Sequence, residues 1–242
     1  DRILSKISRK AQQGEYYNNP ISEGTVFLNR RFDKIPSLKK FKFLVTYGDP
    51  TQSELKGKAK NKKGSRKAVW LCGMIGDVLY VIKGFIFKGS NADFINFYFV
   101  LHKWVAGRVP VYHYIENNSM QDPFFQQVFK PHVAAQRKKT GINLTITPDE
   151  ERKTDKAVRI EANLEPLDRE SRLIMNIDEK DEPNMDELNN EFQFFTLALD
   201  YPADGVDCVE GAKRIIENKL RELTPSTVIP AKAMRKYNRH RR

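Results

Sequence analysis

Cysteine is nearly missing from this chain: Cys72 and Cys208 are the 2 among 242 residues, and no CxxC pair exists. So few cysteines exclude a disulfide framework and a zinc finger, and they fit a reducing, cytoplasmic setting. No run approaches the ~20 apolar residues that a membrane-spanning helix needs, so no membrane partner is expected. No signal peptide opens the chain. The phosphate loop of nucleotide-driven motors, GxxxxGK[ST], is missing as well. GKAKNKKGS at 57–65 has its look, but it lacks the GK[ST] end and the strand-to-helix setting. Histidine is sparse: His102, His113, His132 and His240 form no HExxH, and Ser53 and Ser119 have no visible histidine partner. A zinc protease and a serine hydrolase triad are therefore both unsupported. Cys208 reads as a small apolar residue packing a helix rather than as a nucleophile. No internal repeat is present.

What the chain does have is positive charge, +11 formally. Its placement says more than its size. Residues 56–67 (KGKAKNKKGSRK) hold Lys56, Lys58, Lys60, Lys62, Lys63, Arg66 and Lys67 with no acid, and residues 232–242 are basic in the same way. Without these two segments the remainder is slightly acidic. Basic segments of this kind commonly meet a polyanion, most often nucleic acid.

Residues 1–40 read as an irregular arm, with a short helix over 3–13 and turn signals in NNPISEGTVF. Strands are expected at 41–48, 68–75 and 78–87, the last two joined by Gly-Asp, a hairpin signal. The first three strands are therefore expected to be antiparallel. Apolar residues Phe94, Phe97, Tyr98, Leu101 and Val105 recur at helical spacing over 91–106. A fourth strand at 109–116 ends in Glu116. A helix over 122–139 follows, which Pro131 must kink or split. A fifth strand is expected at 142–147, a strand of a small hairpin at 173–177, and helices from 184 or 185 to 199 and over 203–223. The pattern is a mixed, five-stranded α/β sheet flanked by helices.

Three acids stand out by context. Asp49 ends the first strand, in YGDPTQS. Glu116 ends the fourth. Asp207 lies in the first turns of the last helix, in DGVDCVEGA, and Asp204, three residues earlier, shares its helix face. Taken singly, each has an ordinary explanation: Asp-Pro opens turns, acids favour helix N-termini, and Glu116 could pair with a lysine. Taken together, carboxylates at neighbouring strand ends and on a covering helix suit Mg²⁺ or Mn²⁺, which prefer oxygen ligands. Two such ions roughly 3.5–4 Å apart can clamp a phosphodiester during in-line displacement.

The order of these acids resembles the ribonuclease-H-like arrangement. More narrowly, the chain is similar to the nuclease domain of the phage terminase large subunit over residues 20–222. The segments that carry the likeness are YGDPTQS (47–53), VYHYIENNSMQD (111–122), DKAVRIEANLEPL (155–167) and YPADGVDCVEGA (201–212), with Cys208 where alanine is usual. The resemblance implies Asp49, Glu116 and Asp207 as ligands for two divalent ions. It makes Asp204 a further ligand or a proton-transfer aid. It implies Lys156 and Arg159 as DNA contacts near a small β-hairpin insertion. It also implies a metal-dependent endonuclease that cuts double-stranded DNA with little sequence preference during genome packaging in the host cytoplasm. The portal, the procapsid and a small terminase subunit would be partners. Because the chain starts at Asp1 rather than Met, it is expected to be a fragment without its motor. In that division 1–40 is the linker from an ATPase, 41–223 the nuclease and 224–242 a basic tail. Other readings stay open. A junction resolvase, a transposase or a ribonuclease H would share the metal chemistry, although RIEANLEPL argues against them. A non-catalytic DNA- or capsid-binding module is also conceivable, although such a module should have lost one of the acids.

Overall fold

A computed structural model describes residues 26–50, 66–117, 125–151, 154–199 and 201–223. The helix expected at 3–13, the basic residues 56–65 and the tail from 224 lie outside them.

The strands are β1 (Arg31–Asp33), β2 (Leu44–Asp49), β3 (Lys67–Ile75), β4 (Val78–Phe87), β5 (Val111–Glu116), β6 (Ile146–Asp149) and β7 (Leu173–Asn176). They form one 7-stranded sheet in the order β1-β7-β4-β3-β2-β5-β6. β2, β3 and β4 are antiparallel, as expected. Gly76, at φ +62°, opens the tight turn between β3 and β4, where a left-handed residue matches the twist of the strands. β5 and β6 run parallel to β2. The sheet is wider than the five strands expected, because β7 lies parallel to β4, with β1 parallel beyond it. The strand at 173–177 thus belongs to the main sheet rather than to a hairpin.

The arm expected at 1–40 joins the folded body from Val26 onward. Phe27 is fully buried and packs edge-on to Phe192 and Phe195. The N–H groups of Leu28 and Asn29 both donate to Asp168 Oδ2 at 2.9 Å.

The helices are α1 (Asn91–Val105), α2 (Lys130–Thr140), α3 (Lys156–Arg169), α4 (Pro183–Gln193) and α5 (Asp204–Leu223). Ser90 and Asp93 cap α1 reciprocally, satisfying N–H groups that have no partner inside the helix. Pro131 splits its helix as expected: a π turn at Phe125–Phe129 precedes it, and α2 begins around the proline. Proline is tolerated there because first-turn N–H groups need no intrahelical acceptor.

Two apolar layers sandwich the sheet. Val45, Tyr47, Ala68 and Trp70 face α3, α4 and α5. Leu44, Val69, Leu71 and Ile115 face α1 and α2. Side chains alternate along a strand. A register shift at Leu71/Cys72 changes the parity on β4, so Leu79 and Val81 face the first layer whereas Phe85 and Phe87, beyond the shift, face the second.

Candidate metal centre

Alternation places the first two acids. Val45 and Tyr47 point toward α5, so Asp49 does too. On β5, Ile115 points to the α1 side, so Glu116 points to the α5 side. The parallel register pairs Gly48 with Ile115, which sets Asp49 and Glu116 side by side at the strand ends. The third acid arrives from α5. Gly211 lets this helix approach: a Cβ there would lie 2.6 Å from the Tyr47 ring. Asp207 is 3% exposed. The outcome is a convergence: Asp49, Glu116 and Asp207 each offer a carboxylate oxygen, all within 4.8 Å of one another.

Three ionised carboxylates this close repel one another. The surrounding cations offset that. Lys156 and Arg159 lie one turn apart on α3 and share a face. Arg159 reaches Asp207 Oδ1 at 2.8 Å, and the Lys156 ammonium lies 3.5 Å from Asp207 Oδ2 and 3.3 Å from Asp204 Oδ1. Arg159 also pairs with Glu210, to which Asn163 Nδ2 donates at 2.8 Å. Asp204, Asp207 and Glu210, three apart on α5, thus interlock with Lys156, Arg159 and Asn163. Burial works to lower the Lys156 pKa, but Asp207, Asp49 and Asp204 together raise it, so the ammonium stays charged. Arg159 behaves alike: burial opposes its charge, and Asp207 and Glu210 hold it.

Several participants escaped the sequence reading. Glu191, fully buried on α4, accepts the Gly205 and Val206 N–H groups at 2.7 and 3.0 Å and an Arg66 hydrogen bond at 2.5 Å. It thereby anchors the start of α5 from another helix. Burial, then Asp204, push its carboxyl up to about 8, against the pull of Arg66 and the two N–H groups. Asp149, at the end of β6 beside Glu116, accepts the Tyr47 hydroxyl at 2.6 Å and pairs with Arg214 of α5. Burial and the Asp149 and Glu116 charges hold the Tyr47 pKa above its ordinary value, so it remains a donor. The spacing DxxDxxE against KxxRxxxN could have announced the helix pairing. Nothing local announces Glu191.

Of the basic residues singled out above, Lys56, Lys58, Lys60, Lys62 and Lys63 lie outside the described residues. Arg66 pairs with Glu187 and Glu191 and lies 3.8 Å from Asp204. Lys67 is 4% exposed and donates to the Gly89 carbonyl at 2.8 Å. Asp204 stands beside the acid triad, held by Lys156 and Arg66, rather than within the converging three. His102 and His113, scattered in the sequence, meet at 3.0 Å between Nδ1 and Nε2, on the opposite side of the sheet.

The donor set fits a hard divalent ion. Its ligands are carboxylate oxygens, the kind preferred by Mg²⁺ and Mn²⁺. Soft sulfur is kept away: Cys208 Sγ turns to the Ala68 carbonyl at 3.3 Å.

No protein-family model and no curated protein matches the chain. Solved structures do match. The human cytomegalovirus terminase nuclease domain aligns with a TM-score of 0.53 and 14% identity, over 76% of this chain and 89% of that one. The same domain soaked in manganese aligns at 0.52 and 12%, over 77% and 90%. The large terminase of a thermophilic bacteriophage aligns at 0.51 and 13%, covering 90% of this chain and 51% of that one. The chain therefore spans about half the length of that phage protein. At these identities the likeness is one of fold, and the fold is terminase-nuclease-like.

Proposed function

We propose that the chain is a metal-dependent endonuclease that cleaves double-stranded DNA with little sequence preference, as the nuclease part of a genome-packaging terminase. The observation that carries this reading is the convergence of Asp49, Glu116 and Asp207 from β2, β5 and α5 within 4.8 Å. The fold it shares with terminase nuclease domains, one of them soaked in manganese, agrees with it. Asp49, Glu116 and Asp207 would hold Mg²⁺ or Mn²⁺, in a pair. Bound there, such ions supply an activated water and a stabilised leaving oxygen.

The protein's own groups do the placing. Arg159 fixes Asp207, Glu191 fixes the start of α5, and Tyr47 with Gly211 sets how closely α5 approaches the strand ends. Lys56, Lys58, Lys60, Lys62 and Lys63 would grip backbone phosphates, which give affinity without reading sequence. The portal, the procapsid and a small terminase subunit are the expected partners, in the cytoplasm of a phage host. None of the described helices is long and apolar enough to cross a membrane.

The test is cleavage of supercoiled plasmid in Mg²⁺, Mn²⁺ or EDTA, beside Asp49→Ala. Nicking and linearisation should require metal and fall by at least about a hundredfold in the variant, the scale of losing an electrostatic contact made in the transition state. Equal cutting by both proteins would sink the site. Salt-sensitive DNA retardation without cutting by either would favour the binding module.

A further inference from the structure

Asp207 has cations at both oxygens, and the two differ in kind. Arg159 holds Oδ1 at 2.8 Å with a side chain only 9% exposed, and Glu210 grips the same guanidinium. This is a fixed support. Lys156 faces Oδ2 at 3.5 Å and Asp204 Oδ1 at 3.3 Å, with a side chain 30% exposed. It is a compact charge on a flexible stem, at the first position of α3, and Asp49 also acts on its charge. Its ammonium thus lies in the field of Asp49, Asp204 and Asp207, and two of these belong to the converging triad. A divalent ion taken up by the triad would meet this ammonium as a like charge at short range.

We propose that Lys156 is a built-in competitor of the divalent ion: it neutralises Asp207 and Asp204 until metal arrives, then swings off Asp207 Oδ2 and turns its charge toward the substrate phosphate. This rests on the metal-site reading above. Arg159 stays in place, so Asp207 keeps its aim while Lys156 changes partner. Metal and DNA then bind cooperatively, because a phosphate that receives the lysine removes the competitor, and the coupling is reciprocal.

Calorimetry of Mn²⁺ binding without DNA tests this directly, on the wild type, Lys156→Met, Lys156→Gln and Lys156→Arg. Lys156→Met, which keeps the apolar stem, should bind Mn²⁺ about tenfold or more tighter, the scale of a hydrogen bond to a charged group. Lys156→Gln, with a polar head still able to face Asp204, should show the same gain and guards against a variant that fails to fold. Lys156→Arg keeps the charge and should bind no tighter than the wild type. An unchanged or weaker Mn²⁺ affinity in both Met and Gln variants, with the wild type binding normally, overturns the competitor and leaves the metal site standing. Absence of Mn²⁺ binding in wild type and variants alike overturns both.

Discussion

A neutral imidazole is the form that suits the α1 side of the sheet. His113 is 4% exposed, beside the Tyr98 ring, and shares a hydrogen bond with His102. Burial, and then the neighbouring His102, bring its pKa down to about 3. In the unfolded chain a histidine titrates near its ordinary value of about 6.5. Between these values the unfolded state binds a proton that the folded state refuses. Stability is therefore complete above pH 6.5 and falls as pH drops toward 3, by about 2 kcal/mol at pH 5 for this one group. Urea unfolding at pH 7 and pH 5 should show that loss, and His113→Phe should remove most of it. An equally steep loss in the variant would assign the acid sensitivity to the carboxylates instead.

The element that decides the site is α5, and its placement depends on a carboxylate that is not its own. Glu191 supplies the acceptor for the Gly205 and Val206 N–H groups, which have no intrahelical partner at a helix start. It also faces Arg66. Glu191→Ala should leave two buried N–H groups without their acceptor and Arg66 with Glu187 and the more distant Asp204 alone, costing about 2–4 kcal/mol. Glu191→Gln keeps a carbonyl for the N–H groups and should cost clearly less. Denaturant midpoints of the two variants decide this; equal losses would mean that the Arg66 pair, not the cap, holds the helix. The same contrast shows what sequence could and could not reveal. The Gly76 hairpin, the apolar stripe of α1 and the strand-end acids are local patterns, and they were legible. β1 is 3 residues long and no local period marks it; β7 was legible as a strand, but its parallel pairing with β1 and β4, distant in sequence, was not. Glu191 caps a helix from a different helix, and only tertiary structure can bring it there. Arg66 looked like one more cation of a basic run until its acidic partners on α4 came into view.

For the molecule as a whole, those pairings redraw the electrostatics. The positive charge of the sequence is concentrated in 56–67 and 232–242, yet the last two cations of the first segment are engaged inward, Arg66 with Glu187 and Glu191 and Lys67 with the Gly89 carbonyl. Withdrawing either from its acceptors to reach DNA would cost about as much as a phosphate contact returns, because hydrogen bonds to charged groups are worth about 1.5–3 kcal/mol. On the function proposed above, the phosphate-binding share of this segment would fall to Lys56, Lys58, Lys60, Lys62 and Lys63. Each lysine that neutralises a phosphate adds about 0.9 to the steepness of log affinity against log salt. Replacing these five by serine should therefore flatten that slope by up to about 4–5 units for duplex DNA, while leaving the unfolding midpoint nearly unchanged. Replacing Arg66 alone should do the reverse, lowering the midpoint and sparing the slope. Fluorescence anisotropy across a salt series, paired with a urea melt of each variant, separates the two effects. If the serine variant keeps the full slope, the polyanion is held elsewhere, and the basic tail becomes the segment to neutralise next.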